Sequence, residues 1–279
     1  MAGTSLYNYD PSVGAAVFFA ILFGIIAFIH TYQFIRTRTW FLIPFVVGGY
    51  FELAGYIGRT LSAQETPNWT TGPFIMQHLL LLVTPALFAA SIYMELGRII
   101  LLVHGEKQSI ISRTWLTKIF VAGDIGSFLA QAIGAGSMAG RTKSAINTGQ
   151  IIILCGLVLQ IVFFLLFIIT AAIFHLRVRS RPTRKLVSDP AIPWQKHMFA
   201  LYGSSLLILI RCAFRLVEYA QGRDGSLMSH EIFLYFFDSV LMLGTMVIFA
   251  VVHPSEVNAL LKGNGAKAVR KLVSVYRMV

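Results

Sequence analysis

The sequence predicts an all-α integral membrane protein: a bundle of seven transmembrane helices with the N-terminus outside and the C-terminus in the cytoplasm. Three observations carry that expectation. The chain of 279 residues is 56% hydrophobic and only 13% charged, with mean hydropathy +0.72, well away from an ordinary soluble domain. Seven apolar runs are each long enough to cross ~30 Å of hydrocarbon at ~1.5 Å per residue. The basic residues fall almost entirely in alternate loops, which sets the orientation.

The runs lie near 13–35, 40–62, 73–103, 117–139, 149–175, 194–221 and 230–253 and leave no length for a separate soluble domain. Residues 1–279 are therefore expected to form a single transmembrane domain, with 254–279 as a basic cytoplasmic tail. The first run is too long for a cleavable signal, and residues 1–12 before it contain no Lys or Arg. The turn at 36–39, the loops 104–116 and 176–193, and the C-terminal tail hold most of the Lys and Arg. The opposite set holds only Arg141, Lys143 and Arg223. Cys155 and Cys212 both fall inside spans, so no disulfide framework is expected.

The net charge of +11 has its source in these flanking residues, and nucleic acid is not an expected partner. The run HLRVRSRPTRK (175–185) is expected to meet anionic headgroups of the cytoplasmic leaflet, or simply to fix the topology. Asn68-Trp69-Thr70 is a glycosylation sequon on the expected outer side.

With directions assigned, position along the chain becomes depth. The second span runs outward and carries Glu52, Tyr56 and Arg59 at i, i+4, i+7, one face of a helix. The third runs inward, with Gln77 and His78 in its outer half and Pro85 in its middle, where a kink is expected. The fourth places Asp124 in the inner half and Gln131 near the middle, and the fifth places Gln160 near the middle. The sixth repeats the i, i+4, i+7 pattern with Arg211, Arg215 and Glu218, and the seventh lines up Glu231, Tyr235, Asp238 and Met242. Small-residue faces occur at Gly48, Gly49 and Gly55, at Gly123, Gly126, Gly134 and Gly136, and at Gly149 and Gly156, where helix backbones can approach closely.

Four carboxylates, Glu52, Glu218, Glu231 and Asp238, thus share one half of the bundle with Arg59, Arg211 and Arg215. Intramembrane charges face a bundle interior or a wet cavity, and opposite charges at one depth are expected to pair across helices. Arg211 and Arg215 are expected to meet carboxylates of the second and seventh spans. The bland reading is a structural network. The functional reading is a polar cavity open to the outside, whose acidic and aromatic lining suits an amphiphile with a cationic head. Its expected ligand-binding residues are Glu52, Tyr56, Arg59, Gln77, His78, Gln131, Arg211, Arg215, Glu218, Glu231, Tyr235 and Asp238. A separate cytoplasmic-side network is expected from Glu95, Arg98 and Asp124.

Other seven-helix readings fare worse. Glu95 and Arg98, in YMELGR (93–98), resemble the acidic–Arg pair of a rhodopsin-like receptor. The last span, however, has no Asn-Pro, and no outer cysteine pair exists. A retinal protein needs a lysine in that span, and 230–253 has none. Five histidines, His30, His104, His175, His197 and His253, fall at inner helix ends, the basis of a metal-dependent lipid hydrolase as an alternative. None forms an i, i+4 pair on one helix, so neither a metal site nor catalytic residues are expected. No nucleotide-binding fingerprint or nucleophile elbow occurs, and no cofactor is expected.

Several stretches occur together in order: YDP (9–11), FELAGYIGR (51–59), LLVTPALFAASIYMELGRI (81–99), DIGSFLAQAIGAG (124–136), GQIIILCGLVLQ (149–160), RCAFRLVEYAQGRDG (211–225), HEIFLYFFDSVLM (230–242) and HP (253–254). In combination, from about residue 7 to 255, the chain resembles the fungal RTA-like, lipid-translocating exporter family. The resemblance implies a multi-pass plasma-membrane protein of seven spans. It also implies an association with release of sphingoid long-chain bases and with resistance to aminosterols and other toxic amphiphiles, one branch being linked to porphyrin movement. Both an exporter and a lipid sensor signalling to a cytoplasmic partner fit it.

Overall fold

The computed structural model describes residues 9–66, 68–138, 142–189, 192–222 and 230–263, which form helices joined by turns. Seven of its segments are long and apolar enough to cross a membrane. The first six are α1 (Val13–Thr37), α2 (Ile43–Gln64), α3 (Thr71–Leu102), α4 (Arg113–Met138), α5 (Lys143–Ser180) and, after a short α6 (Arg184–Ser188), α7 (Trp194–Gln221). The seventh is composite: α8 (Glu231–Leu234), a π-helical stretch at Tyr235–Val240, α9 (Leu241–Val251) and then α10 (Ser255–Leu261).

Local chemistry sets the boundaries. Ser12 caps α1 by accepting from the Ala15 amide, and Arg38 ends it in the left-handed region at φ 53, so the chain turns at once into a 3₁₀ turn at Trp40–Leu42 and then α2. Pro44 sits in the first turn of α2, where its missing N–H costs nothing. The next connection is tied by Glu65, whose carboxylate accepts from the Thr70 amide and hydroxyl, both at 2.8 Å. Those bonds hold its carboxyl below the usual range. Thr142 caps α5 by accepting from the Ala145 amide.

Successive helices α1 to α5 pack as neighbours; α7 packs on α5, α3 and α9, and α9 returns to α1. Helix α3 also touches α10, so it is the axial element, and its residues from Phe88 to Ile100 are mostly buried. An aromatic core surrounds it, with Phe45 stacked on Phe88 at 4.5 Å and Tyr93 against Phe167 at 4.5 Å. Phe18, Ile21, Ile25 and Phe28 on α1, and Leu165, Leu166 and Ile169 on α5, point outward, as a lipid-facing surface requires.

Two features depart from the apolar runs. Helix α5 has 38 residues, ~57 Å at the helical rise, so it outruns the hydrocarbon layer and carries Arg177 and Arg179 beyond it. The stretch expected to begin the basic cytoplasmic tail at 254 turns at His253–Pro254 and packs on the bundle as α10, burying Val257 and Asn258. The remaining tail, with Lys267, Arg270, Lys271 and Arg277, lies outside the described residues, as do Arg141 and Arg223.

The α4–α5 contact shows why glycine is needed there. A Cβ on Gly134 would lie 2.6 Å from the Gly149 carbonyl, and one on Gly149 would lie 2.5 Å from the Gly134 carbonyl. Backbone thus meets backbone, and no other side chain fits. Gly126 and Gly136, read from the sequence as part of the same face, have nothing within 4 Å of an added Cβ. They take no part in that contact.

Candidate functional site: a buried arginine–carboxylate cluster

The N-terminal end of the bundle, where Ser12 meets Glu231 and α7 meets the seventh span, gathers the charged residues. Asp238, 1% exposed, holds two arginines at once: Arg211 through Nε to Oδ1, and Arg215 through Nη2 to Oδ2 at 2.7 Å. Arg215 uses its other nitrogen on Glu218, 2.8 Å away and one turn along the same helix. The expected pairing of α7 arginines with the seventh span is present, and the carboxylate is Asp238.

Arg211 has a second acceptor that comes from α3. Pro85 has no N–H, so the carbonyl four residues earlier, that of Leu81, receives no helical bond. Arg211 Nη2 donates to that oxygen at 2.6 Å. The proline read as a kink thus also creates a docking point for a buried guanidinium.

A second group centres on Arg59, which is 0% exposed. It donates to Glu231 at 2.6 Å, and to the hydroxyls of Tyr235 and Tyr9 at 3.0 Å each. Glu231 also accepts from the Tyr235 hydroxyl at 3.1 Å and from the Ser12 amide. Tyr56 and Ser239 share a hydrogen bond. Phe19 stacks on Tyr235 at 5.1 Å and Phe23 on Tyr56 at 5.3 Å, forming an aromatic wall between α1, α2 and the seventh span.

Asp238, Ser239 and Tyr235 all lie in the π-helical stretch. Wider π turns occur at functional sites because they re-aim side chains. This one lets Asp238 face α7 while Tyr235 and Ser239 face α2.

Glu52 corrects the sequence reading. It was expected to pair with an arginine. It is 0% exposed, and among the described residues neither carboxylate oxygen has a partner at hydrogen-bond distance. The Thr84 hydroxyl is close enough to interact with it, but donates to the Leu80 carbonyl at 3.0 Å. Asp238, Arg211 and Arg215 are within electrostatic reach, but both arginines are committed to Asp238.

The other expected ligand residues are not part of the ion pairs, although His78 lies within electrostatic reach of Arg59, Arg215 and Asp238. Gln77 is buried on α3. His78 shares a hydrogen bond with the Phe74 carbonyl at 2.8 Å and packs at a tilt against the Phe74 ring. Gln131 donates to Gln160 at 3.1 Å, an α4–α5 bridge apart from the arginines. Met242 is fully buried below the cluster.

The opposite end carries a second network, and it is not the one expected. Glu95, Arg98 and Asp124 do not engage one another. Glu95 lies 3.3 Å from His197, whose other ring nitrogen is 3.1 Å from Glu256, and Lys196 reaches Glu256 at 3.4 Å. Arg98 donates to Asn258 at 2.7 Å, and Asp124 accepts from Tyr93 at 2.9 Å. Glu256 and Asn258 were missed because they follow His253-Pro254 and read as tail; their signal was the heptapeptide SEVNALL, apolar at helical spacing. Of the other histidines weighed as metal ligands, His30 bonds to the Met246 carbonyl, His175 stacks on Tyr202, and His253 accepts from the Ser255 amide. Among the described residues no three of His, Cys, Asp and Glu are gathered to hold a metal.

Fold and cluster together define a multi-pass, all-helical membrane protein with an intramembrane ion-pair network. The family model described as RTA1 like protein matches residues 45–260, and the chain belongs to that family. Among its relatives in Saccharomyces cerevisiae, Protein RTA1 is 38% identical, covering 90% of this chain and 86% of the relative. Protoporphyrin uptake protein 1 is 38% identical, covering 90% and 92%. The sphingoid long-chain base transporter RSB1 is 28% identical, covering 90% and 74%. No solved structure matches the chain.

Proposed function

We propose that the protein binds amphipathic lipids with a cationic head, such as sphingoid long-chain bases and aminosterol-like amphiphiles, and moves them out across the plasma membrane. The observation that supports this most is Glu52. A buried carboxylate without a partner is costly to hold charged, and an arriving ammonium would neutralise it. Glu218, Glu231 and Asp238 already hold arginines, so they shape the site, and Glu52 is the acceptor left for a ligand. Ion pairing is strong at low dielectric, and the wall of Phe19, Phe23, Tyr56 and Tyr235 suits the lipid beyond its head.

The name of one relative, a sphingoid long-chain base transporter, supports the substrate class. The basic residues on the 36–39, 104–116 and 176–193 side support an orientation with the cluster in the outer half. Anionic headgroups at 175–185 belong to the same reading, and no chemical step is assigned to the protein.

A second reading, a lipid sensor, is favoured by one feature. Helix α7 carries Arg211 and Arg215 at one end and His197, bonded to Glu95 and Glu256, at the other, so one rigid element joins both networks.

Release of a labelled long-chain base from cells tests the assignment. Glu52→Gln, matched for abundance in the membrane, is expected to lower protein-dependent release about tenfold or more, the worth of a charged hydrogen-bonded contact. Release equal to that of the unsubstituted protein would remove Glu52 from the binding step.

A further inference from the structure

The described residues also form a cavity of about 370 Å³ at the other end of the bundle, where α2 begins, α3 ends and α4 starts. It is far from Glu52 along the helices, and its chemistry has the opposite sign. Arg98 and Arg113 line it together with Thr114 and Thr117. Among the described residues no carboxylate lines it and neither guanidinium makes a salt bridge. Arg98 is held in place by a neutral partner, Asn258, at 2.7 Å, and by the Phe41 ring, 3.9 Å from the guanidinium carbon. Its charge is oriented and left unbalanced.

Three further observations point to what balances it. Arg113 is the first residue of α4, a helix of 26 residues, so the positive end of the helix dipole adds to the two side chains. Trp40 and Trp115, 63% and 61% exposed, flank the cavity in sequence on both sides. Exposed tryptophans mark the depth of the lipid headgroups. Phe41, Met94 and Leu101 supply the apolar part of the lining.

We infer that this cavity binds the phosphate group of an anionic phospholipid, held between Arg98 and Arg113 with Thr114 and Thr117 as hydroxyl donors. Phosphate is the fitting anion because planar guanidinium forks match its oxygens two at a time. The apolar lining receives the glycerol end and the first carbons of the chains. The site is separate from the cluster around Glu52 and does not depend on the function proposed for it.

The experiment uses the full-length protein purified in detergent free of phospholipid. Its probes are dihexanoyl phosphatidic acid, dihexanoyl phosphatidylcholine and inorganic phosphate, with affinity and melting temperature as readouts. Phosphatidic acid is expected to raise the melting temperature and to bind tighter than phosphatidylcholine. Arg113→Gln, at an exposed helix start, is expected to fold normally and to weaken that binding about tenfold, with Thr117→Val weakening it less. Arg36→Gln, another exposed cation at the same end, is expected to leave it unchanged. Competition by inorganic phosphate would support the phosphate as the recognised group. Its failure to compete would support a site that needs the lipid's apolar portion as well. Equal affinity for both lipids, unaltered binding by Arg113→Gln, or an equal loss with Arg36→Gln would overturn the proposal, the last by showing diffuse attraction to a basic surface.

Discussion

Asp238 is the residue on which the charged cluster turns, because one carboxylate satisfies two buried guanidiniums. Breaking a buried pair leaves uncompensated charge behind and costs ~3–5 kcal/mol. Asp238→Asn is therefore expected to lower the melting temperature strongly. Combining it with Arg211→Gln is expected to cost less than the sum of the two single changes, a coupling that thermal melts of the four proteins would read directly. Glu52→Gln is expected to behave in the opposite way: with no ion pair to lose, the melting temperature should hold or rise. A large fall would mean that Glu52 is paired after all. At this scale the sequence revealed depth and not partner. Glu52, Glu231 and Asp238 share a half of the bundle, but which carboxylate meets Arg211 depends on the rotation of each helix about its axis, which spacing within a single helix does not specify.

Between residue and fold, the informative elements are those that break helical regularity. The i, i+4, i+7 stripe of Glu231, Tyr235 and Asp238 assumes a uniform helix, and the π turn at Tyr235–Val240 changes its phase. Pro85 was legible as a kink, but the use of the freed Leu81 carbonyl by Arg211 depends on α7 lying beside it. The small-residue faces were legible as a class, yet only some of those glycines touch a neighbour, because glycine patterns do not say which face meets protein. Gly149→Val is expected to push α4 from α5 and to lower stability by ~1–3 kcal/mol, the usual range for overpacking. Gly136→Ala has open space and is expected to leave stability unchanged or raise it by ~0.5–1 kcal/mol. Parallel thermal melts check both, and equal destabilisation by the two changes would contradict the close α4–α5 contact.

For the whole molecule, seven spans and their approximate limits were legible because lipid imposes length and apolarity on each element separately. The packing of α10 was not, since its apolar spacing spans only seven residues and the partners of Glu256 and Asn258, namely Lys196, His197 and Arg98, lie on other helices. The proposed orientation predicts that a tag after Val279 is protected from protease on intact cells and cleaved after permeabilisation; cleavage on intact cells would reverse it. The central proposal, that the protein moves amphipathic lipids, is tested most directly in vesicles. Purified protein is reconstituted into liposomes carrying a labelled sphingoid base in one leaflet, and the transfer to the other leaflet is followed over time. Transfer faster than in protein-free vesicles, and slowed by Glu52→Gln, is the predicted result. Binding of the labelled base with no change in its transbilayer distribution would contradict it and favour the sensor.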